Sequence, residues 1–421
     1  MQPAFEMLGS GSWLTRERVR LVAIAVLVAS VAGLLYLIVT AHGMVDIKGR
    51  PLGTDFSDVY AAGSYVLDGN PDAPFDPGRQ HAREQQIFGE TTPFYGWHYP
   101  PLFLFIAAAL ALLPYGTALA VWQAVTFGLY LLTIRTILFS RPNGPATDTA
   151  RWRDEWLLLA LAFPAVLINI GHGQNGFLTA ALLAGALVQM DRRPIFSGIL
   201  FGCLAYKPQF GLMVPLVLAV SSRWRVFAAA GATVTMLALA STAAFGPQVW
   251  QAFLESTRFT RQVALEQGDT GWYKIQSMFA WSRMWGAPIS AAYALQIALI
   301  AALAASLIRL WRSAAPFPLK AAGLCLATIL ATPYTFDYDM MVLAPAIAFT
   351  ALDGAARGFS PWEKTALAAL WLVPLVTRNF AYVTFIPLGV PAMLAMFVLL
   401  LRRSTFYSPL PMASSSAILL K

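Results

Sequence analysis

The chain has 421 residues, of which 58% are hydrophobic and 12% charged, with a net charge of +8. A soluble globular domain carries about 25% charged residues, so half that share, spread over long apolar runs, excludes a soluble enzyme and predicts an all-α polytopic membrane protein. Its positive charge implies no nucleic acid, because basic residues gather at short turns between apolar runs, which is the cytoplasmic bias of membrane proteins.

Taken in order, Arg16, Arg18 and Arg20 precede an apolar run at 21–43 that is long enough to span and has no cleavage site. Residues 1–20 are then cytoplasmic, and the run leads outward. The polar stretch 44–100 is expected outside, with turn chemistry at Gly69-Asn70-Pro71 and a helical piece at 78–88. Residues 102–113 are apolar but too short for a normal crossing, which suits a re-entrant or interfacial helix. A full span is expected at 118–139.

The remaining crossings follow from placing every basic turn inside: Arg141, Arg151 and Arg153, Arg192 and Arg193, Arg223 and Arg225, Arg309 and Arg312, Arg357 and Lys364, Arg402 and Arg403. Segments 156–170 and 177–190 then form a hairpin with GHGQN (171–175) at its outer end. The run 195–220 goes out and back, broken at Pro208 with Lys207 near its tip. A second outer loop covers 246–288, and segments 291–309, 319–331, 340–352, 365–376 and 385–401 complete about twelve crossings. The membrane domain is 21–403, and 404–421 form a disordered cytoplasmic tail. No internal repeat is visible. The two cysteines, Cys203 and Cys325, sit in apolar runs as small core residues, with no disulfide framework or zinc spacing.

All four histidines, His42, His81, His98 and His172, fall on the outer side under this topology, as do GHGQN, KPQ (207–209) and FDYD (336–339). The inner turns hold simple basic residues, proline, glycine and scattered acids. Groups able to do chemistry are thus collected on one face. Within the first outer loop, GTDFSDVYAAGSYVL (53–67) carries Asp55 and Asp58 on one side of a helix, with Ala62. Phe56, Val59, Tyr60, Gly63 and Leu67 lie on another side, suited to resting on a membrane. Both acids could instead be ordinary features of a helix start, Asp55 as N-cap and Asp58 as a first-turn acid.

Lys207 costs about 2.5–3.5 kcal/mol inside an apolar run, so it is paired, faces a polar cavity or snorkels. At an outer tip it could meet a lipid phosphate, helped by loop arginines such as Arg258 and Arg261. In the same loop Arg258, Arg261, Lys274 and Arg283 alternate with Trp250, Phe259, Trp272, Tyr273, Phe279 and Trp281, a mixture suited to sugar faces and a phosphate. Tyr60, His98, Tyr99, His172, Gln174, Asn175 and Asp337 are the candidates for binding sugar or acceptor. For Gln174 and Asn175, and for Asp337, helix capping is the competing role. No dinucleotide, P-loop, zinc-protease or nucleophile-elbow motif is present, so a donor already in the membrane is the simpler choice.

The order DFSDVYAAGSYVLDGNP, YPPLFLFIAAALALLPYGTALAVW, GQNGFLTAALL and SGILFGCLAYKPQFGL, with IQSMFAW and PYTFDYD beyond it, resembles glycosyltransferase family 87. The resemblance implies a GT-C-type bundle whose large first outer loop carries short amphipathic helices and a catalytic aspartate. It also implies a polyprenyl-phosphate sugar donor, most often mannose, an envelope lipid or glycan acceptor, and a multi-pass protein of the bacterial inner membrane working at its outer face. Asp55 matches the family's DF-x-x-x-[YW]-A-A aspartate and Asp58 the form directly preceding Val-Tyr, so both remain candidates, with Asp55 ahead. Lys207 and Gln174 match its K-P and GQ positions. At PYTFDYD, where relatives often carry histidine, the chain departs from the pattern. Inversion needs a general base at the acceptor hydroxyl, and the phosphate leaving group needs positive charge but no paired acid; a divalent metal is possible but not required, and no other cofactor is implied. The rival from another class is a flippase for a lipid-linked sugar, which should show inverted repeats.

Overall fold

The computed structural model describes residues 2–139 and 155–407. The expected inner arginines Arg141, Arg151 and Arg153, and positions 408–421 of the tail, lie outside the described residues.

The described chain is helical, and six of its helices are long and apolar enough to cross a membrane: Arg16–Val39, Tyr115–Phe139, Trp224–Phe245, Ile289–Arg312, Asp337–Arg357 and Glu363–Thr384. Five shorter apolar pieces accompany them, at Pro101–Ala111, Gly176–Gln189, Pro194–Tyr206, Pro208–Val220 and Phe317–Leu330. A 24-residue helix is about 36 Å long, enough for a hydrocarbon core of about 30 Å. Arg16–Val39 leaves Leu21 (69%), Val28 (61%) and Val39 (79%) exposed, an apolar surface that water would not tolerate and lipid accepts. By contrast, 72% of the Asp337–Arg357 window is buried, which makes that helix the centre of the bundle. The protein is a polytopic helical membrane protein.

Several boundaries differ from the sequence expectation for identifiable reasons. Thr15 caps the first long helix by accepting from the Arg18 amide, so Arg16, Arg18 and Arg20 lie within its first turns rather than before it. The expected segment 156–170 is broken into Trp156–Leu161 and Pro164–His172, because Pro164 cannot continue a helix but starts one well. The expected span 365–376 instead runs from Glu363 to Thr384 through Pro374, whose missing amide is tolerated inside a packed membrane helix. That extension carries Arg378 to the helix's far end. At Lys207-Pro208 the chain does break, into short 3-10 turns between the helices Pro194–Cys203 and Val214–Val220.

The basic residues of two turns expected inside are not simple surface charges. Arg403 is buried and pairs with Asp353 (2.6 Å) and Glu363 (2.5 Å), while Arg357 also pairs with Asp353. Removing one member would leave a buried charge uncompensated.

The segment expected to form the first outer loop folds against the bundle. Its helix Phe56–Leu67 buries Phe56, Ser57, Asp58, Val59, Ala61, Ala62 and Gly63, so it is enclosed on several sides rather than resting on a membrane by one apolar face. Asp76 caps a second helix, Pro77–Phe88, by accepting from the Arg79 amide at 2.8 Å. Leu104–Ala111, about 12 Å long, cannot cross; it packs on Phe56–Leu67 so closely that a Cβ at Gly63 would stand 2.1 Å from the Ala107 carbonyl oxygen. Beneath them, Phe103 stacks on Tyr206 with ring centroids 5.0 Å apart, and Trp97, Tyr99 and Trp122 complete an aromatic floor.

Gly63→Ala should therefore force these helices apart. We expect it to lower the thermal midpoint of the detergent-solubilised protein by several degrees, whereas Gly33→Ala, where a methyl meets nothing within 4 Å, should leave it unchanged.

Candidate active site

The turn 171–175 is built from local rules. Helix Pro164–His172 ends at Gly173, which takes the left-handed conformation (φ +64°), and its amide and that of Gln174 satisfy the last carbonyls. Gly173 also has to be glycine because a Cβ would lie 2.5 Å from the Cβ of Phe56. This contact brings the turn onto the start of helix Phe56–Leu67: the Asp55 amide donates to the His172 carbonyl at 3.0 Å.

Asp55 occupies the N-cap position but makes no capping bond with its side chain. Its carboxylate turns toward the turn instead. Gln174 Nε2 donates to Oδ2 at 2.8 Å, the Thr54 hydroxyl to Oδ1 at 3.2 Å, and His172 Nδ1 lies 3.5 Å from Oδ1. His172 Nδ1 is also 2.7 Å from Thr54 Oγ1. With 22% of its side chain exposed, Asp55 is reachable from outside the protein. Burial by itself would raise its pKa, but the charge of His172 and the hydrogen bonds from His172, Gln174 and Thr54 hold the carboxyl below its usual range. The same pairing outweighs burial at His172 and raises the imidazole above its usual value.

Asp58 is the opposite case. It is 4% exposed, its Oδ1 has no hydrogen-bond partner, and no cation pairs with it. Burial, followed by the charges of Asp55 and Glu84, pushes its carboxyl well above the usual range, with Lys207 acting weakly the other way. The carboxyls of two acids one helical turn apart are thus shifted in opposite directions. Glu84, fully buried, accepts from the Tyr95 and Gly96 amides and is raised by burial to about 6.

The remaining sequence candidates divide into those joined to Asp55 and those apart from it. Gln174 Oε1 accepts from the Tyr99 hydroxyl (3.4 Å) and the Asn175 amide (3.1 Å), and Asn175 Nδ2 donates to the Tyr99 hydroxyl at 2.8 Å. Asn175 Oδ1 is buried without a partner. Neither amide caps the following helix; Asn169, which the sequence reading overlooked, does so by accepting from the Gly176 amide at 2.9 Å and donating to the Tyr338 carbonyl at 2.8 Å. His98 belongs to an enclosed aromatic corner, bonded to Thr260 at 2.8 Å and lowered by burial to about 4. Tyr60 donates to the Leu113 carbonyl at 3.0 Å.

Lys207, expected to face a lipid phosphate, is 6% exposed and donates to Asp339 Oδ1 at 2.7 Å, with the Tyr338 ring 5.1 Å away. Arg258 is exposed, and Arg261 pairs with Glu266 at 3.3 Å. Asp337 makes no helix cap; Asp339 does, accepting from the Phe336 amide at 3.0 Å. Asp337 Oδ1 accepts from the adjacent Tyr338 amide at 3.0 Å and its Oδ2 from Arg378 at 3.1 Å. Arg378 was not singled out by the sequence because an unbroken helix through Pro374 is not legible there. Among the described residues no group of three or more His, Cys, Asp or Glu is gathered to hold a metal.

The model of glycosyltransferase family 87 matches residues 97–333, more than half of the chain. No curated protein and no solved structure matches it.

Glu84 gives a stability test. Burial lifts its folded pKa to about 6, above the ordinary glutamate value of 4.5, so ionising it opposes folding: the cost is full above pH 6, shrinks as pH falls toward 4.5, and is absent below. At full size it amounts to about 2 kcal/mol. Glu84→Gln should raise the thermal midpoint relative to wild type at pH 7 and lose that advantage by pH 4.5.

Proposed function

The chain belongs to glycosyltransferase family 87, and on that premise we propose that this membrane glycosyltransferase moves a hexose, most often mannose in the family it resembles, from a polyprenyl-phosphate donor to a hydroxyl of an envelope lipid or glycan. The full reading is a GT-C-type bundle of about twelve crossings in a bacterial inner membrane, with the first loop and its acids at the outer face. The observation that carries the mechanism is the unequal treatment of the two aspartates. Asp55 is partly open, oriented by three donors and held below the usual carboxylate range; Asp58 is enclosed, without a partner among the described residues, and pushed well above that range by burial. This favours Asp55 as the general base.

In that role Asp55 accepts the proton of the acceptor hydroxyl as its oxygen attacks the anomeric carbon from the face opposite the phosphate. The bond from the anomeric carbon to the phosphate oxygen breaks, and its electron pair leaves with the phosphate, so the configuration inverts. Phosphate is a good leaving group and requires no paired acid. It does require positive charge. Lys207 is already matched by Asp339, which supports a role for that ion pair in holding the 336–339 segment beside His172. Gln174 and His172 act on Asp55: they keep its carboxylate charged and pointed outward. Tyr99 and Asn175, both buried, are linked to Gln174 and hold its amide in place behind Asp55.

Purified protein should transfer label from polyprenyl-phosphate mannose to a membrane lipid extract. Asp55→Asn should lower the turnover by about 10²–10⁴-fold with the thermal midpoint kept. Asp58→Asn, which copies a carboxyl already neutral, should stay within a few-fold of wild type. Full activity of Asp55→Asn would reject the assignment, and movement of the lipid-linked sugar across the bilayer without labelled product would identify a flippase. Because Asp55 is held below the usual carboxylate range, the acid limb of the rate profile should also lie below that range.

A further inference from the structure

The loop segment 272–276 is fastened between the Thr335–Phe336 segment and the end of helix Glu363–Thr384. Ile275 forms a backbone bridge with Phe336, and the Gln276 amide donates to the Thr335 carbonyl at 2.7 Å. On the other side, Gln276 Oε1 accepts from the Thr377 hydroxyl at 2.7 Å and from the Gly389 amide at 3.2 Å. These bonds engage the immediate neighbours of Lys274, of Asp337 and of Arg378. Tyr273 packs edge-on against Tyr382, one turn beyond Arg378, with centroids 5.1 Å apart. The three charged residues are consequently gathered where the loop meets the end of helix Glu363–Thr384.

Their charges do not balance. Asp337 is 3% exposed and accepts from Arg378, whose side chain is 34% exposed. Lys274 is half-buried, and among the described residues its ammonium has no hydrogen bond or ion pair; the ring of the adjacent Tyr273 lies 5.8 Å from it. Burial and the Arg378 charge disfavour its cation, while Asp337 and Asp55 favour it without touching it, so an anion in direct contact would stabilise it further. The Tyr338 ring, next to Asp337, lies 6.3 Å from the His172 ring.

The geometry points to an anion site formed by Lys274 and Arg378, with Asp337 holding the guanidinium in place, that binds the phosphate of a phosphoryl-linked lipid beside Asp55. The assignment rests on the glycosyl-transfer reading for its ligand, and not for its charge. A phosphate there would receive the Lys274 ammonium as a point charge and the Arg378 fork as a second set of donors. Arg378 lies beyond the region matched by the family model, as does Asp55.

The test is equilibrium binding to the purified full-length protein, read by the fluorescence of tryptophans that include Trp272, with farnesyl phosphate, farnesol and inorganic phosphate as probes. Farnesyl phosphate should bind, and Lys274→Met and Arg378→Gln should each weaken it by about 10- to 100-fold. Lys274→Arg should restore most of the loss, and Asp55→Asn should not weaken binding. Inorganic phosphate binding as tightly as farnesyl phosphate would show a free-phosphate source and overturn the lipid ligand. Unchanged affinity in Lys274→Met would overturn the site even if Arg378→Gln proved unstable. If these variants bind normally while wild type transfers sugar, the site fails and the enzyme reading stands. If charge-dependent binding holds but no sugar is ever transferred, the site stands and that reading fails.

Discussion

A partly buried carboxylate stays ionised where donors answer its charge, and at Asp55 two of its three donors, His172 and Gln174, come from more than a hundred residues further along the chain. The contact is made possible by a glycine. Gly173 ends one helix in a conformation other residues adopt reluctantly, and its missing side chain leaves room for Phe56. The positions of Gln174, His172 and, through Gln174, Tyr99 and Asn175 all follow from that approach.

The surroundings then separate two chemically identical side chains. Asp58, one turn further into the same helix, points into packed protein with no donor, and the charges of Asp55 and Glu84 add to the cost of ionising it. Among the described residues, two other buried cations are matched by carboxylates, while buried Glu84 is met by backbone amides. Lys207 has Asp339, and Arg403 has Asp353 and Glu363 at the bundle's other end. Measured against those pairs, a carboxyl without a partner at 58 is consistent with a group that keeps its proton, and a lysine without one at 274 with a group that awaits an anion.

Much of this was legible in the sequence, and the gaps have physical causes. Apolar runs gave the membrane helices because their signal is long and local. The GHGQN turn and the DFSD segment were recognisable as polar groups in the wrong surroundings. Which aspartate carries charge was not readable, since it depends on Gly173 bringing Gln174 and His172 across more than a hundred residues. Lys207 was legible as a costly charge but not as the partner of Asp339, which lies after several intervening helices. Arg378 was hidden by Pro374, which reads as a helix end and is not one. Asn169 sat unremarked within an apolar segment because its cap and its bond to Tyr338 are both products of folding.

Infrared difference spectroscopy of the protein at neutral pH tests the division between the two acids most directly. A protonated-carboxyl stretch should be present in wild type, persist in Asp55→Asn and vanish in Asp58→Asn. Its disappearance in Asp55→Asn with retention in Asp58→Asn would reverse the protonation states and contradict Asp55 as the resting base.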